Sequence, residues 1–437
     1  SSIGSIENLR TKDGDTYWID KASSSTSSKG SIEILLNIGS ISSNFYGIMN
    51  FSTSSGTSSI GSIENIGSLV GSYGIYNCSS NRGLNSSIEI IKNTGIISGT
   101  GIGSGFGILN YTYNSGTSTI KSLINSGVIY GSINAVKNEG GTINNAYNYG
   151  VLVTDGTSVV ENVSSGAVNS IEKYGLAFKV DGTTGNYSAT EGDFSKFGTI
   201  SGDDEYTVVN AKAIGKADDI EGTESLILKE GKLTYYDSMG NEQIESISPD
   251  KKYILNGIEN TLEVIGSGNE LNNSVVNAYK KAVVMNENMS TLTLNDTAVN
   301  GVSSTVSIGG NGNTLTVKGN SLINTREGET AITITGKNNV VTLEGNAVVN
   351  GAITSNEGNN NILALNGTGK YGMNMFHDIS GFENMSIDKN VTFFENAKVT
   401  GTEIVTVEET GVLSLRLKKK EEKTKTYGDS SSSIPTA

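Results

Sequence analysis

Ser5-Ile6-Glu7 returns as Ser31-Ile32-Glu33, Ser62-Ile63-Glu64, Ser87-Ile88-Glu89, Thr119-Ile120-Lys121, Thr142-Ile143-Asn144 and Ser170-Ile171-Glu172. The isoleucines stand 26, 31, 25, 32, 23 and 28 residues apart. That loose period matches one turn of a three-faced β-helix, in which each coil can bury its apolar strip only against its neighbours. The fold class is therefore read as all-β, a parallel β-helix (solenoid).

Two further signals accompany the phrase. About five residues later comes Asn-x-Gly, as in Asn37-Ile38-Gly39, Asn65-Ile66-Gly67, Asn93-Thr94-Gly95, Asn125-Ser126-Gly127 and Asn148-Tyr149-Gly150. Asparagine and glycine tolerate positive φ, so each is expected to turn a corner. An aromatic-Gly-Ile phrase ending in asparagine follows, at Tyr46 to Asn50, Tyr73 to Asn77 and Phe106 to Asn110. It supplies another strand per coil.

Beyond residue 250 the wording changes but the logic holds. Leu262, Leu292, Leu315, Val341, Leu363, Met385 and Val405 each open an apolar-polar-apolar triplet, 30, 23, 26, 22, 22 and 20 residues apart. The alternation fits strands with one buried face. Four segments follow: coils over 1–177, an irregular set of coils or an insertion over 178–250, coils over 251–416, and a disordered tail or linker over 417–437. Within 178–250, Leu226 to Leu228 and Leu233 to Tyr235 flank Glu230-Gly231 and read as a hairpin. Roughly 15 coils at about 4.8 Å each would make a single rod some 70 Å long.

Composition supports this reading. Glycine accounts for 55 of 437 residues and proline for 2, the mark of tight turns between strands more than of a disordered glycine-rich chain. The formal charge of −14 without a basic stripe argues against a nucleic-acid partner. No apolar run reaches the roughly 20 residues of a membrane span. The chain opens at Ser1 without an apolar leader and reads as a mature or excised fragment.

Candidate chemistry is sparse. The one histidine, His377, is expected to be a surface or capping residue, and the one cysteine, Cys78, an inert residue at a strand end with only Arg82 nearby. Polysaccharide lyases and hydrolases on β-helices need a base beside clustered carboxylates. Here the arginines are Arg10, Arg82, Arg326 and Arg416, none among carboxylates at alternate strand positions. Asp203-Asp204-Glu205 and Asp218-Asp219 with Glu221 are consecutive loop carboxylates, ordinarily solvated. Gly309 to Leu315 follows a calcium-roll pattern until Thr314 replaces the ligating aspartate, and Gly101 to Gly107 lacks the helix of a phosphate loop. The sequence therefore offers no catalytic, cofactor-binding or metal-ligating residue, and it does not single out a binding residue. Adhesive loops are sought in 178–250, near Trp18, and around Ser52 to Ser59. Tyrosine, 18 in all, and asparagine on a rigid frame suit recognition of glycans or proteins.

The imperfect serine-, glycine- and asparagine-rich coils, together with Ile379-Ser380-Gly381-Phe382-Glu383-Asn384 before the last coils, resemble the passenger domain of a monomeric (type V) autotransporter adhesin, the large fusobacterial members in particular. The resemblance implies a right-handed β-helix, exported through a C-terminal outer-membrane β-barrel and displayed on the bacterial surface or released. It implies a monomer, without cofactor, that attaches to protein or glycan receptors on host cells or other bacteria. Neither a signal sequence nor a barrel segment is among these residues. The alternatives are a polysaccharide-degrading β-helix enzyme and a structural stalk for a distal binding domain.

Overall fold

The computed structural model describes residues 2–8, 17–23, 29–53, 56–80, 85–101, 103–163, 166–180, 187–189, 198–201, 206–211, 225–237, 239–394 and 397–416. Among them there is no helix, and the chain is an all-β parallel solenoid in two arrays. The tail over 417–437 lies outside the described residues.

In the N-terminal array each coil crosses three faces. The first carries seven strands in chain order, among them Lys29–Asn37, Thr57–Asn65, Asn85–Asn93 and Thr117–Asn125. The second carries short strands such as Ser68–Gly71 and Ile96–Gly99, and the third carries Tyr46–Ser52, Tyr73–Ser80 and Phe106–Tyr113.

The strand pairing explains the uneven spacing of the Ser-Ile-Glu phrase. Ile32, Ile60, Ile88, Ile120 and Ile143 are successive Cα partners, and so are Leu35, Ile63, Ile91, Leu123 and Ala146. Two columns three residues apart thus point inward in each strand. The residue after the first column, Glu33, Gly61 or Glu89, drops out of the pairing, and the strand bends there. Ile34 and Ile90 consequently face out, at 48% and 42% exposure. The phrase falls on the first column at Ile32, Ile88, Ile120 and Ile143 and on the second at Ile6, Ile63 and Ile171. The shift between columns accounts for the spacings of 26, 31 and 25, while the 32 and 23 between Ile88, Ile120 and Ile143, all in the first column, are differences in coil length.

The Asn-x-Gly corners exist, but positive φ does not make them. Neither the asparagines Asn37, Asn65, Asn93, Asn125 and Asn148 nor the glycines that follow them two residues on adopt it. The asparagines are buried instead and bond to one another, Nδ2 to Oδ1, from Asn8 to Asn37 to Asn65 to Asn93 to Asn125 to Asn148 at 2.7–2.8 Å. An amide has two N–H groups. From Asn37 onward the asparagines also donate to strand carbonyls, for example Asn65 to Ile96 at 2.9 Å and Asn93 to Val128 at 3.1 Å. The glycines are required by close approach: a Cβ on Gly95 would lie 2.1 Å from the Gly67 carbonyl oxygen, and one on Gly127 2.1 Å from that of Gly95. A parallel asparagine ladder, Asn50, Asn77, Asn110, Asn138 and Asn162, closes the third face at 2.7–2.8 Å.

In the C-terminal array Leu292, Leu315, Val341, Leu363, Met385 and Val405 form one column, as their spacing predicts. Leu262 does not belong to it. The Cα partner of Leu292 is Asn269, while Leu262 pairs with Val283 on another face. The outlying spacing of 30 joined two different faces.

Within 178–250, Tyr206–Asn210 and Leu226–Lys229 run parallel to Lys252–Asn256 and Asn260–Ile265, and the other described strands reverse direction. Tyr187–Ala189 runs antiparallel on Leu176–Val180, and Gly198–Ser201 antiparallel on Tyr206–Asn210. Leu226–Lys229, Lys232–Tyr236 and Glu242–Ser246 form an antiparallel meander, with Glu230 and Gly231 both at positive φ in the expected hairpin turn. Antiparallel strands thus cover sheet edges where one array ends and the other begins, the protection an open ladder needs.

The two arrays do not form the single 70 Å rod. A third ladder runs through the C-terminal array from Asn350 to Asn324, Asn300, Asn277, Asn256 and Asn210 at 2.8–2.9 Å. The second N–H of each donor crosses to the N-terminal array: Asn256 to Tyr174 O, Asn277 to Tyr149 O, Asn300 to Ser126 O, Asn324 to Thr94 O and Asn350 to Ile66 O, at 2.8–3.0 Å. One series ascends as the other descends. The arrays therefore lie side by side and antiparallel, and the chain is folded back on itself to roughly half the rod's length, about 35 Å for seven coils.

Candidate functional site

The junction between the arrays is packed at the turnaround and opens away from it. Near the turnaround Tyr149 stacks on Tyr174 at 5.3 Å, over Val208, Ile254, Val275 and Ala298, and Phe178 meets Tyr279 edge-on at 5.7 Å. Toward the other end the arrays part into a cleft of about 410 Å³, within the range of small-ligand sites. Its apolar lining is Ile38, Ile66, Leu322, Val348 and Phe376.

Polar side chains from both arrays rim the cleft. Leu36, Glu64 and Lys92 are Cα partners in consecutive coils of one wall. On the other wall Asn346 donates to Asn320 Oδ1 at 3.0 Å and its own Oδ1 accepts the Lys370 N–H at 3.1 Å. Lys370 Nζ donates to the Tyr371 hydroxyl at 2.7 Å. That bond, with the Glu7 carboxylate adding to it, holds the ammonium above its usual range. Apolar lining beneath ammonium, carboxylate, amide and phenol groups binds by burial plus directed hydrogen bonds.

A second cleft of about 520 Å³ lies between Ser40, Ser42 and Ser68 of one array and Glu327, His377 and Asp378 of the other. His377 stands in this cleft. Its ring is half-buried, its Nε2 is buried without a hydrogen-bond partner, and burial pushes its pKa down to about 4 against the opposing pull of Asp378. It lines this cleft partly exposed, with its Nε2 shut off from solvent.

The other sequence candidates are separated. Cys78 is buried between Phe51 and Tyr111 in its column, and burial pushes its thiol up to about 11 although a bond with Tyr76 opposes the shift. Arg326 lies over Tyr130 at 5.7 Å and pairs with Glu329 at 3.3 Å, a bridge between arrays. Arg416 donates its backbone N–H to Phe393 O at 2.8 Å. Arg10, Arg82, Asp203-Asp204-Glu205 and Asp218-Asp219 with Glu221 lie outside the described residues. Gly309 to Leu315 is a stacked turn, whose Asn313 accepts the Ser290 N–H at 2.7 Å and donates its own N–H to Asn339 at 2.8 Å. Of Gly101 to Gly107, Gly103 and Ser104 form a turn that leads into the strand Phe106–Tyr113, and Ile102 lies outside the described residues.

The proposed adhesive loops fare differently. Around Ser52 to Ser59 the strands extend to Ser52 and resume at Thr57, and Ser52 and Ser58 are buried, while Ser54 and Ser55 lie outside the described residues. Trp18 falls in the strand Tyr17–Ser23. The ring column Tyr46, Tyr73, Phe106 stacks at 5.0 and 5.7 Å, with Lys137 at 5.3 Å from the last ring. These rings turn their faces to one another, so the column is part of the coil stack and not a platform for a ligand.

Sequence reasoning missed the residues that create the cleft. Their signal was present as a strand-ending apolar-Asn pair, Leu255-Asn256, Val276-Asn277, Val299-Asn300, Ile323-Asn324 and Val349-Asn350, repeating every 21 to 26 residues. Among the described residues no group of three or more His, Cys, Asp or Glu side chains is arranged to hold a metal ion. No described helix is long and apolar enough to cross a membrane. Comparison with family models, with curated proteins and with solved structures finds no match.

Proposed function

We propose that this chain is the passenger of an autotransporter adhesin, displayed on a bacterial outer surface by a β-barrel. In this reading it attaches to a protein or glycan receptor through the cleft between its arrays. The observation that carries the reading is that cleft: an apolar lining rimmed by Glu64, Lys92, Lys370 and Tyr371, held open by two rigid stacks bonded amide to carbonyl. Rigid scaffolds that fix a concave, mixed-polarity surface are the usual frame for recognition. The doubled-back chain also has half the reach of the straight rod, which favours a binding module over a stalk.

The test is binding of the purified chain to a glycan array and to cultured cells, beside the double variant Lys92→Glu/Lys370→Glu. Saturable binding lost in the variant supports the proposal. Equal binding by both proteins moves the site away from the cleft, and cleavage of an offered polysaccharide replaces the adhesin reading with an enzymatic one.

A further inference from the structure

The charged groups of the first cleft stand in a fixed order along the seam. On one wall the Cα column runs Glu7, Leu36, Glu64 and Lys92, one residue per coil. On the other wall Asp296, Asn320, Asn346 and Lys370 are joined rung to rung. Asn320 Nδ2 donates to Asp296 Oδ1 at 2.8 Å, Asn346 Nδ2 to Asn320 Oδ1 at 3.0 Å, and the Lys370 N–H to Asn346 Oδ1 at 3.1 Å. The seam sets these columns against each other, because Asn324 bonds to Thr94 O and Asn350 to Ile66 O. Lys92 is thus level with Asn320, Glu64 with Asn346, and Leu36 with Lys370. The two ammoniums lie two coils apart on opposite walls, about 10 Å along the seam at the strand spacing. Glu64 lies between them.

That order selects a ligand. The chain carries a net charge of −14, yet an ammonium stands at each end of this cleft, where it attracts anions that the net charge repels. The middle rung does the reverse. Glu64 repels an anion and accepts hydrogen bonds, while Asn346 spends one of its two N–H groups on Asn320 and keeps the other for an acceptor. The middle of the ligand must therefore be uncharged and carry both a donor and an acceptor, as an N-acetyl group does. The floor of Ile38, Ile66, Leu322 and Val348 suits the apolar face of a sugar ring. A pyranose in an extended glycan advances by about one strand spacing, so sugars laid along the seam stay in step with the rungs. Past Lys370, Glu7 acts on that ammonium and turns away a further anion.

Resting on the reading of this cleft as the receptor site, we propose that it takes a linear acidic glycan lying along the seam. Carboxylates on alternate sugars meet Lys92 and Lys370, and an N-acetylated sugar between them meets Glu64 and Asn346.

Isothermal titration calorimetry on the full chain tests this with probes of equal length: glucuronate alternating with N-acetylglucosamine, the same chain after carboxyl reduction, and oligogalacturonate, which has a carboxylate on every sugar. The alternating probe should bind saturably, more weakly as salt is raised. Carboxyl reduction should abolish binding, and oligogalacturonate should bind about tenfold less tightly. Lys92→Gln and Lys370→Gln should each weaken the alternating probe about fivefold, and Glu64→Gln should bring oligogalacturonate up toward it. Unchanged circular dichroism verifies that each variant keeps its coils. Equal binding of the reduced and acidic chains, oligogalacturonate as tight as the alternating probe, an unchanged affinity in either lysine variant, or no binding of any probe overturns the inference. Those results leave the cleft standing as the receptor site if Lys92→Glu/Lys370→Glu still abolishes attachment to cells. Attachment that survives this charge reversal removes both readings.

Discussion

The side-chain amide of Asn324 donates one N–H to Asn300 Oδ1 and the other to the carbonyl of Thr94, 230 residues earlier, both at 2.8 Å. One buried side chain thus belongs to two structures: the ladder inside its own array and the seam between arrays. Removing it orphans an acceptor on each side. Asn324→Ala is expected to cost about 1–3 kcal/mol, the penalty for buried unsatisfied groups, read as a lower denaturation midpoint. Asn346→Ala, which loses only exposed bonds to Asn320 and Lys370, should change it by no more than a few tenths of a kcal/mol.

The glycine column sets a steric limit. Gly95→Ala places a methyl 2.1 Å from the Gly67 oxygen and 2.2 Å from that of Ile66. Backbone must move to admit it, at about 1–3 kcal/mol or beyond, and the melting temperature should fall accordingly. Gly4→Ala, with nothing within 4 Å, should melt like the parent.

Inward column residues should reject charge. Ile88 and Leu315 are both fully buried, so Ile88→Asp or Leu315→Asp should cost several kcal/mol and reduce the β signal in far-ultraviolet circular dichroism. Retention of the parent spectrum and melting temperature in either variant would place that side chain outside the core.

His377 gives the fold a pH dependence with a definite sign. Its pKa is lowered from 6.5 to about 4, so below 6.5 the unfolded chain binds this proton more readily than the folded one. Stability should fall as pH drops from about 6.5 to 4, by an amount on the order of 1–3 kcal/mol. His377→Gln should flatten that part of the profile. An identical slope in parent and variant would contradict the burial of Nε2.

Cys78 should resist modification. With its thiol buried and pushed up to about 11, alkylation at pH 8 should be slow in the native chain and fast in denaturant. Rapid native alkylation would show that the Tyr76 side of the third face opens.

The coil repeat was legible because every coil reuses the same apolar columns, and columns leave a period in sequence. Three things distorted it: the strand bend, which gives Ser-Ile-Glu two equivalent positions three residues apart, the unequal coil lengths from Ile88 to Ile120 to Ile143, and the change of face at Leu262. The corners were legible as Asn-x-Gly, but their physics was not. Burial and close approach, not backbone handedness, select those residues, and neither can be seen without the neighbouring coil. The seam was written as a recurring apolar-Asn pair whose partner is a backbone carbonyl. A carbonyl carries no sequence mark, so the cleft and the buried Nε2 of His377 could not be read in advance.

The central claim is that the chain folds back, and a distance across the cleft tests it most directly. Lys92 and Asn346 are exposed and line the same cleft from opposite arrays. With both changed to cysteine in a Cys78→Ser background, spin-labelled and diluted in unlabelled chain, pulsed electron resonance reads their separation. In a continuous stack about eight coils would intervene, placing the labels about 40 Å apart at the strand spacing. The doubled-back fold predicts a distribution centred at half that or less; a peak near the continuous-stack value would contradict it.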